Sequence, residues 1–199
     1  NSTASSYTNS TLTAGAYNVK VKVVDANGCS NTTQQTITVN PLPNVALNDD
    51  AGNTATICEG ESLNFTATNG DNYDFYLNGV LKKSGAGASY GSVSFADGDV
   101  VKVIATDANG CEAQTTQTIT VNDLPTVSLA DFDNVCQGSG SFALSGGSPS
   151  GGSYTGTGVD GGNFDPVAAG VGNHTITYNY PDVNGCSSDA AKTLTVEAA

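Results

Sequence analysis

The sequence predicts an all-β chain made of tandem antiparallel β-sandwiches. The supporting observations are strands that alternate apolar and polar residues, turn dipeptides at short intervals, and an internal repeat with the length of a small domain. Residues 25–43 align without gaps on residues 107–125, with 14 of 19 positions identical, and a weaker third copy occupies residues 182–199. The cysteines of successive copies are 82 and 75 residues apart. Each repeat is therefore expected to be one small domain.

The domain boundaries follow from this repeat. We expect the C-terminal part of one repeat at 1–40, a complete repeat at 41–122 and a second complete repeat at 123–199, as in an excerpt of a longer array. The junctions read Asn40-Pro41-Leu42-Pro43 and Asn122-Asp123-Leu124-Pro125. Because proline favours extended segments, such short joints predict a semi-rigid, extended rod in which each domain adds roughly 35–40 Å.

The strands are indicated by alternation with a period of two. It is clearest from Tyr17 to Val23, and matching segments occur at 99–106 and 174–181. Further strands are predicted near 63–68, 73–77, 80–83 and 92–95. Side chains expected to face the core are Val19, Val21, Val23, Ile37, Val39, Val101, Val103, Ala105, Ile119, Val121, Ile176, Tyr178, Tyr180, Leu194 and Val196. About seven short strands per 80 residues, with no helical period, indicate an immunoglobulin-like sandwich, and the absence of Trp excludes the Trp-packed antibody variant.

One turn motif, Asp-x-Asn-Gly-Cys, occurs at 25–29, 107–111 and 182–186. Asn-Gly is the strongest two-residue signal for a type I′ hairpin turn, in which both central residues have positive φ. The preceding aspartate is expected to accept hydrogen bonds from turn amides. Asn78-Gly79 predicts another such hairpin. The repeated motif is therefore interpreted as architecture.

The five cysteines indicate an oxidising compartment, with two in each complete repeat and one, Cys29, in the partial repeat. Cys29 is expected to be unpaired because its partner would precede Asn1. The preferred pairing is Cys58 with Cys111 and Cys136 with Cys186. The alternative is a bond between domains, Cys58 to Cys186, which would leave Cys111 and Cys136 for neighbouring domains. No spacing typical of a zinc site is present.

The charge limits the partners. The chain has 19 acidic residues, 6 lysines and a net charge of -13, which argues against binding nucleic acid or an anionic membrane surface. We expect no cofactor, except that Ca²⁺ could sit near the domain junctions, where five acids lie without a recognisable calcium-loop spacing: Asp49, Asp50, Asp123, Asp131 and Asp133. No apolar run reaches the ~20 residues of a membrane span, and no signal peptide is visible.

Several motifs look enzymatic and are not expected to be. Ser89 lies in a G-x-S-x-G match that has strand-like neighbours instead of the strand-turn-helix context of a nucleophile elbow. His174, the only histidine, begins a predicted strand. The G-x-G-x-x-G match at 156–161 has no βαβ unit around it, and Glu59 and Glu61 are expected to be solvated turn acids. We predict that the chain is not an enzyme.

Three features together carry a resemblance to a known family. They are a Pro-x-Val start, a Cys-x-Gly before the second strand (Cys58-Glu59-Gly60 and Cys136-Gln137-Gly138), and the Asp-x-Asn-Gly-Cys turn before Thr-x-Thr-Val. In these the chain resembles tandem Ig-like (PKD-like) repeats of very large secreted and cell-surface proteins of Bacteroidota. The resemblance implies type IX secretion and an adhesin, a gliding-motility protein or a fibrous appendage, without chemistry in each repeat. The chain departs from true PKD domains, since 73–79 reads YDFYLNG where those carry a WDFGDG-like motif. The C-terminal sorting domain of such exported proteins is also absent.

Two functional classes remain for this extracellular or cell-surface segment. One is a structural rod or an assembly unit of a filament, with neighbouring repeats and further copies of the chain as partners. The other is a polysaccharide-binding module attached to a secreted enzyme. Sugar binders commonly present exposed aromatic platforms, whereas the aromatic residues here mostly fall in strand patterns that predict core. The rod is preferred.

Overall fold

A computed structural model describes residues 6–198 of the chain. The described residues form two compact units: the first contains residues 6–55 and 62–119, and the second contains residues 56–61 and 120–198. The strands are β1 (Gly15–Val24), β2 (Ser30–Val39), β3 (Ala46–Asp49), β4 (Thr56–Cys58), β5 (Leu63–Thr68), β6 (Asn72–Leu77), β7 (Val80–Gly85), β8 (Ser89–Ser92), β9 (Val100–Thr106), β10 (Glu112–Thr118), β11 (Thr120–Asn122), β12 (Ser128–Leu129), β13 (Val135–Cys136), β14 (Phe142–Ala143), β15 (Gly147–Ser148), β16 (Ser153–Thr155), β17 (Val159–Asp160), β18 (Asn163–Phe164), β19 (Gly172–Pro181) and β20 (Ser187–Glu197). A one-turn helix, α1, spans Pro166–Ala169.

The all-β prediction is confirmed, and the first unit contains a β-sandwich. One sheet has the order β3-β5-β8 and the other β10-β9-β6-β7, with antiparallel pairing throughout. The alternation of β5 and β9 places one side of each strand in the core, as the sequence indicates. Rings of the two sheets meet there, with the centroids of Phe75 and Tyr90 5.9 Å apart. The buried residues of this core are Ala55, Leu63, Phe65, Ala67, Tyr73, Phe75, Phe95, Val101, Val103, Ala105 and Ile119.

The strand predicted at 92–95 is wrong in position. The structure places β8 at Ser89–Ser92, so that Phe95 lies beyond the strand. Its ring is nevertheless buried and packs edge-on against Phe65, with centroids 5.9 Å apart. Burial of one large aromatic side chain, rather than strand pairing, explains the apolar signal at this position.

The hairpin β1-β2 differs from the prediction that its apolar side faces a core. The two strands pair over their whole length, from Gly15 opposite Val39 to Val24 opposite Ser30. Val21 is 50% exposed and Ile37 is 43% exposed. Among the described residues no second sheet covers these side chains, and the pattern that predicted burial here reflects the repeat rather than a core around this hairpin.

The second unit contains the four-stranded sheet β13-β20-β19-β16, together with β12-β15, β14-β18-β17 and the parallel pair β4-β11. Its core gathers Leu144, Phe164, Ile176, Leu194 and Val196, with partly buried aromatic and aliphatic side chains around them. The Gly-rich stretch 146–162 forms short strands and loops, as expected from the sequence. Glycine is required where the chain passes a tyrosine: a Cβ on Gly147 would lie 2.6 Å from the ring of Tyr178.

The helix α1 was not predicted, because a single turn leaves no periodic signal. Its ends are nevertheless marked in the sequence: Asp165 is the N-cap, Pro166 is the first helical residue and Gly170 is the C-cap. The carboxylate of Asp165 accepts hydrogen bonds from the backbone N–H of Val167 at 2.9 Å and of Ala168 at 3.3 Å. Asp165-Pro166, with Gly170 four residues after the proline, was the sequence signal available for this helix.

Candidate functional site: the cysteine-bearing loops and hairpins

The three Asp-x-Asn-Gly-Cys turns have the same backbone structure. At Asp107 the carboxylate accepts hydrogen bonds from the backbone N–H of Asn109 at 2.8 Å and of Cys111 at 2.9 Å. The corresponding pairs of distances are 2.9 and 2.8 Å at Asp25, and 2.8 and 2.9 Å at Asp182. The aspartate therefore accepts hydrogen bonds from turn amides, as predicted, and it also fixes the backbone of the cysteine.

The pKa of Asp107 is lowered from its ordinary value by these interactions. The largest cause is the hydrogen bond from the backbone N–H of Cys111, followed among the lowering causes by the bonds from Asn109 and Gly110. Donors aimed at the carboxylate favour its charged form. The ionised aspartate is thus part of the turn structure.

The type I′ assignment of these turns is wrong. Gly28, Gly110 and Gly185 have φ of +85°, +80° and +86°, but the asparagines before them are not among the described residues with positive φ. The N–H of Gly110 donates to the carbonyl of Asp107 at 3.0 Å, and the N–H of Asp107 donates to the carbonyl of Cys111 at 3.0 Å. This is a three-residue loop with one left-handed glycine, which the aspartate carboxylate favours over the two-residue turn.

Asn78-Gly79 does form the predicted hairpin turn between β6 and β7, because both residues have positive φ, +50° and +80°. No aspartate stands two residues before this asparagine to organise a longer loop. The same dipeptide therefore gives two different turns, depending on the acid that precedes it.

The disulfide of the structure joins Cys58 to Cys186, with a Cα–Cα distance of 5.6 Å. Both residues belong to the second compact unit. The preferred pairing of Cys58 with Cys111 and of Cys136 with Cys186 is therefore wrong, and the alternative bond is the one formed. Cys29, Cys111 and Cys136 are free thiols, of which Cys29 and Cys136 are exposed and Cys111 is half-buried.

Strand geometry explains why a repeat does not bond its own two cysteines. Cys136 pairs in register with Glu197, at the end of β20, whereas Cys186 immediately precedes the start of that 11-residue strand. At about 3.3 Å per residue the two cysteines are roughly 35 Å apart. A disulfide needs Cα atoms within about 7 Å. Cys58 pairs in a similar register with Asn122, at the end of β11.

The loops that follow Cys58 and Cys136 are also built alike. Each cysteine ends a short strand that runs parallel to the last strand of its own repeat, in β4-β11 and β13-β20. The backbone N–H of the third residue after each cysteine donates to the carbonyl of that cysteine, at 3.0 Å for Cys58 and 2.9 Å for Cys136. The backbone N–H of the residue directly after each cysteine donates to a carbonyl of the neighbouring strand, from Glu59 to Asn122 at 2.9 Å and from Gln137 to Glu197 at 2.8 Å.

The acids proposed for Ca²⁺ do not converge. No group of three or more His, Cys, Asp or Glu side chains within 6–198 is arranged to hold a metal ion. The carboxylate of Asp49 accepts hydrogen bonds from the N–H groups of Ala51 and Asn53, and that of Asp50 accepts two from Asn64, which lower the pKa of Asp50. Asp131 forms an ion pair with Lys192 at 2.7 Å. Asp123 and Asp133 join no such cluster in the described chain.

The enzyme-like motifs have structural surroundings. Ser89 begins β8, and the next element along the chain is the strand β9 instead of the helix that a nucleophile elbow requires. His174 is half-buried in β19, with its Nε2 2.8 Å from the carbonyl oxygen of Gly170. Glu61 accepts a hydrogen bond from the N–H of Cys58 at 2.8 Å. The glycines of 156–161 lie in the turns around β17, where Gly158 has φ +82°.

The second unit has an open groove of about 370 Å³. It is lined by the apolar side chains of Phe132, Phe142 and Leu194 and bordered by Asp131 and Asp133. Ser89, His174 and the cysteines do not line it, whereas Asp131 and Asp133 are two of the acids considered for Ca²⁺. Within the described residues, no helix has the length and apolarity that a membrane crossing requires.

The chain is similar in fold to solved structures of repeat domains. One is a Ca²⁺-stabilized adhesin that helps an Antarctic bacterium reach out and bind ice, with 17% identity, a TM-score of 0.41, and 92% of this chain and 57% of that chain covered. The fibronectin(III)-like modules of CbhA from Clostridium thermocellum share 19% identity at a TM-score of 0.42, with 77% and 95% covered. A 1.5-MDa bacterial ice-binding adhesin shares 16% identity at a TM-score of 0.39, with 92% and 75% covered.

The chain thus spans little more than half the length of the Antarctic structure, and similarities of this size carry no argument about function. No protein-family model matches the sequence, and neither does any curated protein. What the strand topology and the cysteines define is a class: immunoglobulin-like β-sandwich repeats that carry a disulfide between loop and hairpin.

Proposed function

We propose that the chain is a non-catalytic structural repeat segment of a large extracellular protein of adhesin type. In this role it acts as a semi-rigid, disulfide-stapled rod or as an assembly unit of a cell-surface appendage. The observation that carries the proposal is the bond between Cys58 and Cys186, which joins cysteines of two successive sequence repeats.

The disulfide supports an extracellular location. Structural disulfides form and persist in oxidising compartments and are rare in the cytosol, where thiols are kept reduced. Small sandwiches have modest cores, to which one bridge typically adds about 2–4 kcal/mol.

The use of the polar side chains supports a structural role. The repeated aspartates are occupied by turn amides, Asp49 and Asp50 by backbone and side-chain amides, and Glu61 by the N–H of Cys58. Catalysis needs a nucleophile or an acid-base pair held ready for a substrate. These carboxylates are used as hydrogen-bond acceptors that stabilise turns and loops.

The placement of the aromatic rings favours the rod over the polysaccharide-binding module. Among the aromatic residues described, Tyr7 alone is largely exposed, at 81%, while the others are buried or half-buried. Sugar faces stack on exposed rings, and a single exposed tyrosine does not form a platform. The polysaccharide-binding module is the second candidate, to be judged by glycan binding.

The secretion route, the domain boundaries, the rod shape and the partners are proposed from the sequence. The resemblance to Bacteroidota repeats supports type IX secretion, and the proline-containing junctions support the domain boundaries 1–40, 41–122 and 123–199 and the rod shape. The partners proposed are neighbouring repeats of the same chain and further copies of it in a fibre.

The proposal is tested on the native protein in its own cells. An antibody against this segment, applied to intact cells and to lysates, is expected to label the surface or the medium, and the labelled protein is expected to be oxidised at Cys58 and Cys186. Labelling only after lysis, with both thiols reduced, would contradict an extracellular role. Electron microscopy of the recovered protein then separates the two forms: multi-stranded filaments indicate an assembly unit, and single beaded threads indicate a spacer.

A further inference from the structure

The cysteines of the chain fall into two structural types. The loop cysteines, Cys58 and Cys136, end the short parallel strands β4 and β13. The hairpin cysteines, Cys29, Cys111 and Cys186, follow the Asp-x-Asn-Gly turns. The bond in the structure joins one cysteine of each type.

The unbonded members of each type have the same local structure as the bonded ones. Cys136 has the parallel register, the carbonyl contact and the inter-strand hydrogen bond of Cys58. Cys111 has the backbone N–H held by an aspartate carboxylate at 2.9 Å, the distance also found at Cys186. Cys136 therefore has the local structure of Cys58, and Cys29 and Cys111 have that of Cys186, the two partners of the observed bond.

We infer that Cys136 is a docking and bonding site for the Asp-x-Asn-Gly-Cys hairpin of another repeat of this kind. Its own hairpin cannot be that partner, because β20 separates Cys136 from Cys186 by roughly 35 Å. Cys136 is exposed and is a free thiol, so a partner can reach it. A second copy of this chain supplies such a hairpin at Cys29 or Cys111.

The bond forms by thiol–disulfide exchange with a low-molecular-weight disulfide as the oxidant. The thiolate of one cysteine attacks oxidised glutathione, forms a mixed disulfide and releases one reduced glutathione. The thiolate of the partner cysteine then attacks the protein sulfur of that mixed disulfide and releases a second reduced glutathione. Two thiol protons are lost, and the two electrons reduce one oxidant disulfide to two thiols.

The test is a pairing competition between two variants that both keep Cys58 and Cys186. The loop variant, C29S/C111S, has Cys136 as its free thiol, and the hairpin variant, C136S, has Cys29 and Cys111. One variant carries ¹⁵N, and equal amounts are mixed in glutathione redox buffer. Disulfide-linked peptides are then quantified by mass spectrometry without reduction, and the Cys58–Cys186 peptide serves as the control for folding.

We expect bonds between Cys136 and a hairpin cysteine, relative to Cys136–Cys136 bonds, to exceed the ratio given by random collision at least about tenfold, which corresponds to about 1.4 kcal/mol of pairing preference. The ratio expected from random collision, counting the two thiols of the hairpin variant and the statistical advantage of unlike pairs over like pairs, would overturn the inference. So would Cys136 recovered only as a thiol or a glutathione adduct. If a serine variant lacks the Cys58–Cys186 peptide, the same peptides are counted in a mixture of labelled and unlabelled unsubstituted chain.

The inference rests on the proposed role as a repeat, and its test is independent of location. The glutathione buffer supplies the oxidising condition whatever the native compartment is. Failure of selective pairing would therefore leave the extracellular proposal standing, and purely intracellular labelling would leave the pairing result standing.

Discussion

Val103 and Val21 occupy equivalent positions in two copies of the repeat and differ in burial, which makes them a matched pair of substitution sites. Val103 is fully buried in β9, opposite Phe75 of β6, whereas Val21 in β1 is 50% exposed. Val103→Ala removes two methyl groups from a closed core, at about 0.8 kcal/mol each for transfer. The cavity left behind raises the total loss of unfolding free energy to about 2–3 kcal/mol.

The control substitution, Val21→Ala, leaves no closed cavity and gives up half as much burial, so its expected cost is below about 1 kcal/mol. The change in strand propensity is the same at both sites, and the difference between the variants therefore isolates burial. The assay is urea unfolding followed by near-ultraviolet circular dichroism, which reports on the packed rings of Tyr73 and Tyr90 in the same unit. Equal losses in the two variants would refute the claim that a second sheet covers β9 and leaves β1 open.

Three further predictions concern the turns and the second unit. Asp107 has a lowered pKa when folded, so its carboxylate stabilises the chain at neutral pH, and the contribution is lost as the pH falls below about 4; the stability difference between the unsubstituted chain and Asp107→Asn should shrink from pH 5 to pH 3, and a constant difference would contradict this. Gly152→Ala would place a Cβ 2.3 Å from a backbone carbonyl oxygen and should lower the melting temperature of the second unit by several degrees, whereas Gly138→Ala, with no atom within 4 Å, should change it little; calorimetry that finds equal shifts would count against the packing described. Replacing Cys58 and Cys186 together by serine should lower the unfolding free energy by about 2–4 kcal/mol in non-reducing urea titrations, and a change below about 0.5 kcal/mol would show that the bond is not structural.

The long strands could be predicted from the sequence because alternation reports burial directly. In β9, Val101, Val103 and Ala105 are buried on one side, as their spacing indicates. The same signal fails in β1, where the pattern is present and the cover is not. A sequence pattern specifies which side of a strand is ready to be buried, and only the tertiary structure provides the surface that buries it.

The turns show a second limit. Asn-Gly predicts a two-residue turn at Asn78 correctly and at Asn109 incorrectly, since a preceding aspartate at 107 accepts two backbone N–H bonds and stabilises a three-residue loop. The competition is decided by one side chain outside the dipeptide. The five-residue motif contains this aspartate and therefore predicts the three-residue loop, whereas the Asn-Gly dipeptide alone does not.

The sequence allows two pairings of the cysteines because spacing along the chain does not fix the distance between them in space. The geometry that decides it is the length of the last strand of a repeat. A loop cysteine pairs beside the end of that strand, at Glu197 in the second unit, and the hairpin cysteine of the same repeat stands before its start. The two cysteines of one repeat are thereby kept apart.

In the second unit this separation gives the chain two cysteines of different type, Cys136 and Cys186, that cannot bond each other. Two different, complementary patches define a heterologous contact, which continues from unit to unit instead of closing as a symmetric pair. The pairing inferred for Cys136 with the hairpin of another copy would be such a contact. The Asp-x-Asn-Gly-Cys turn thus does more than reverse the chain: its aspartate also fixes the backbone of the cysteine that can form a disulfide.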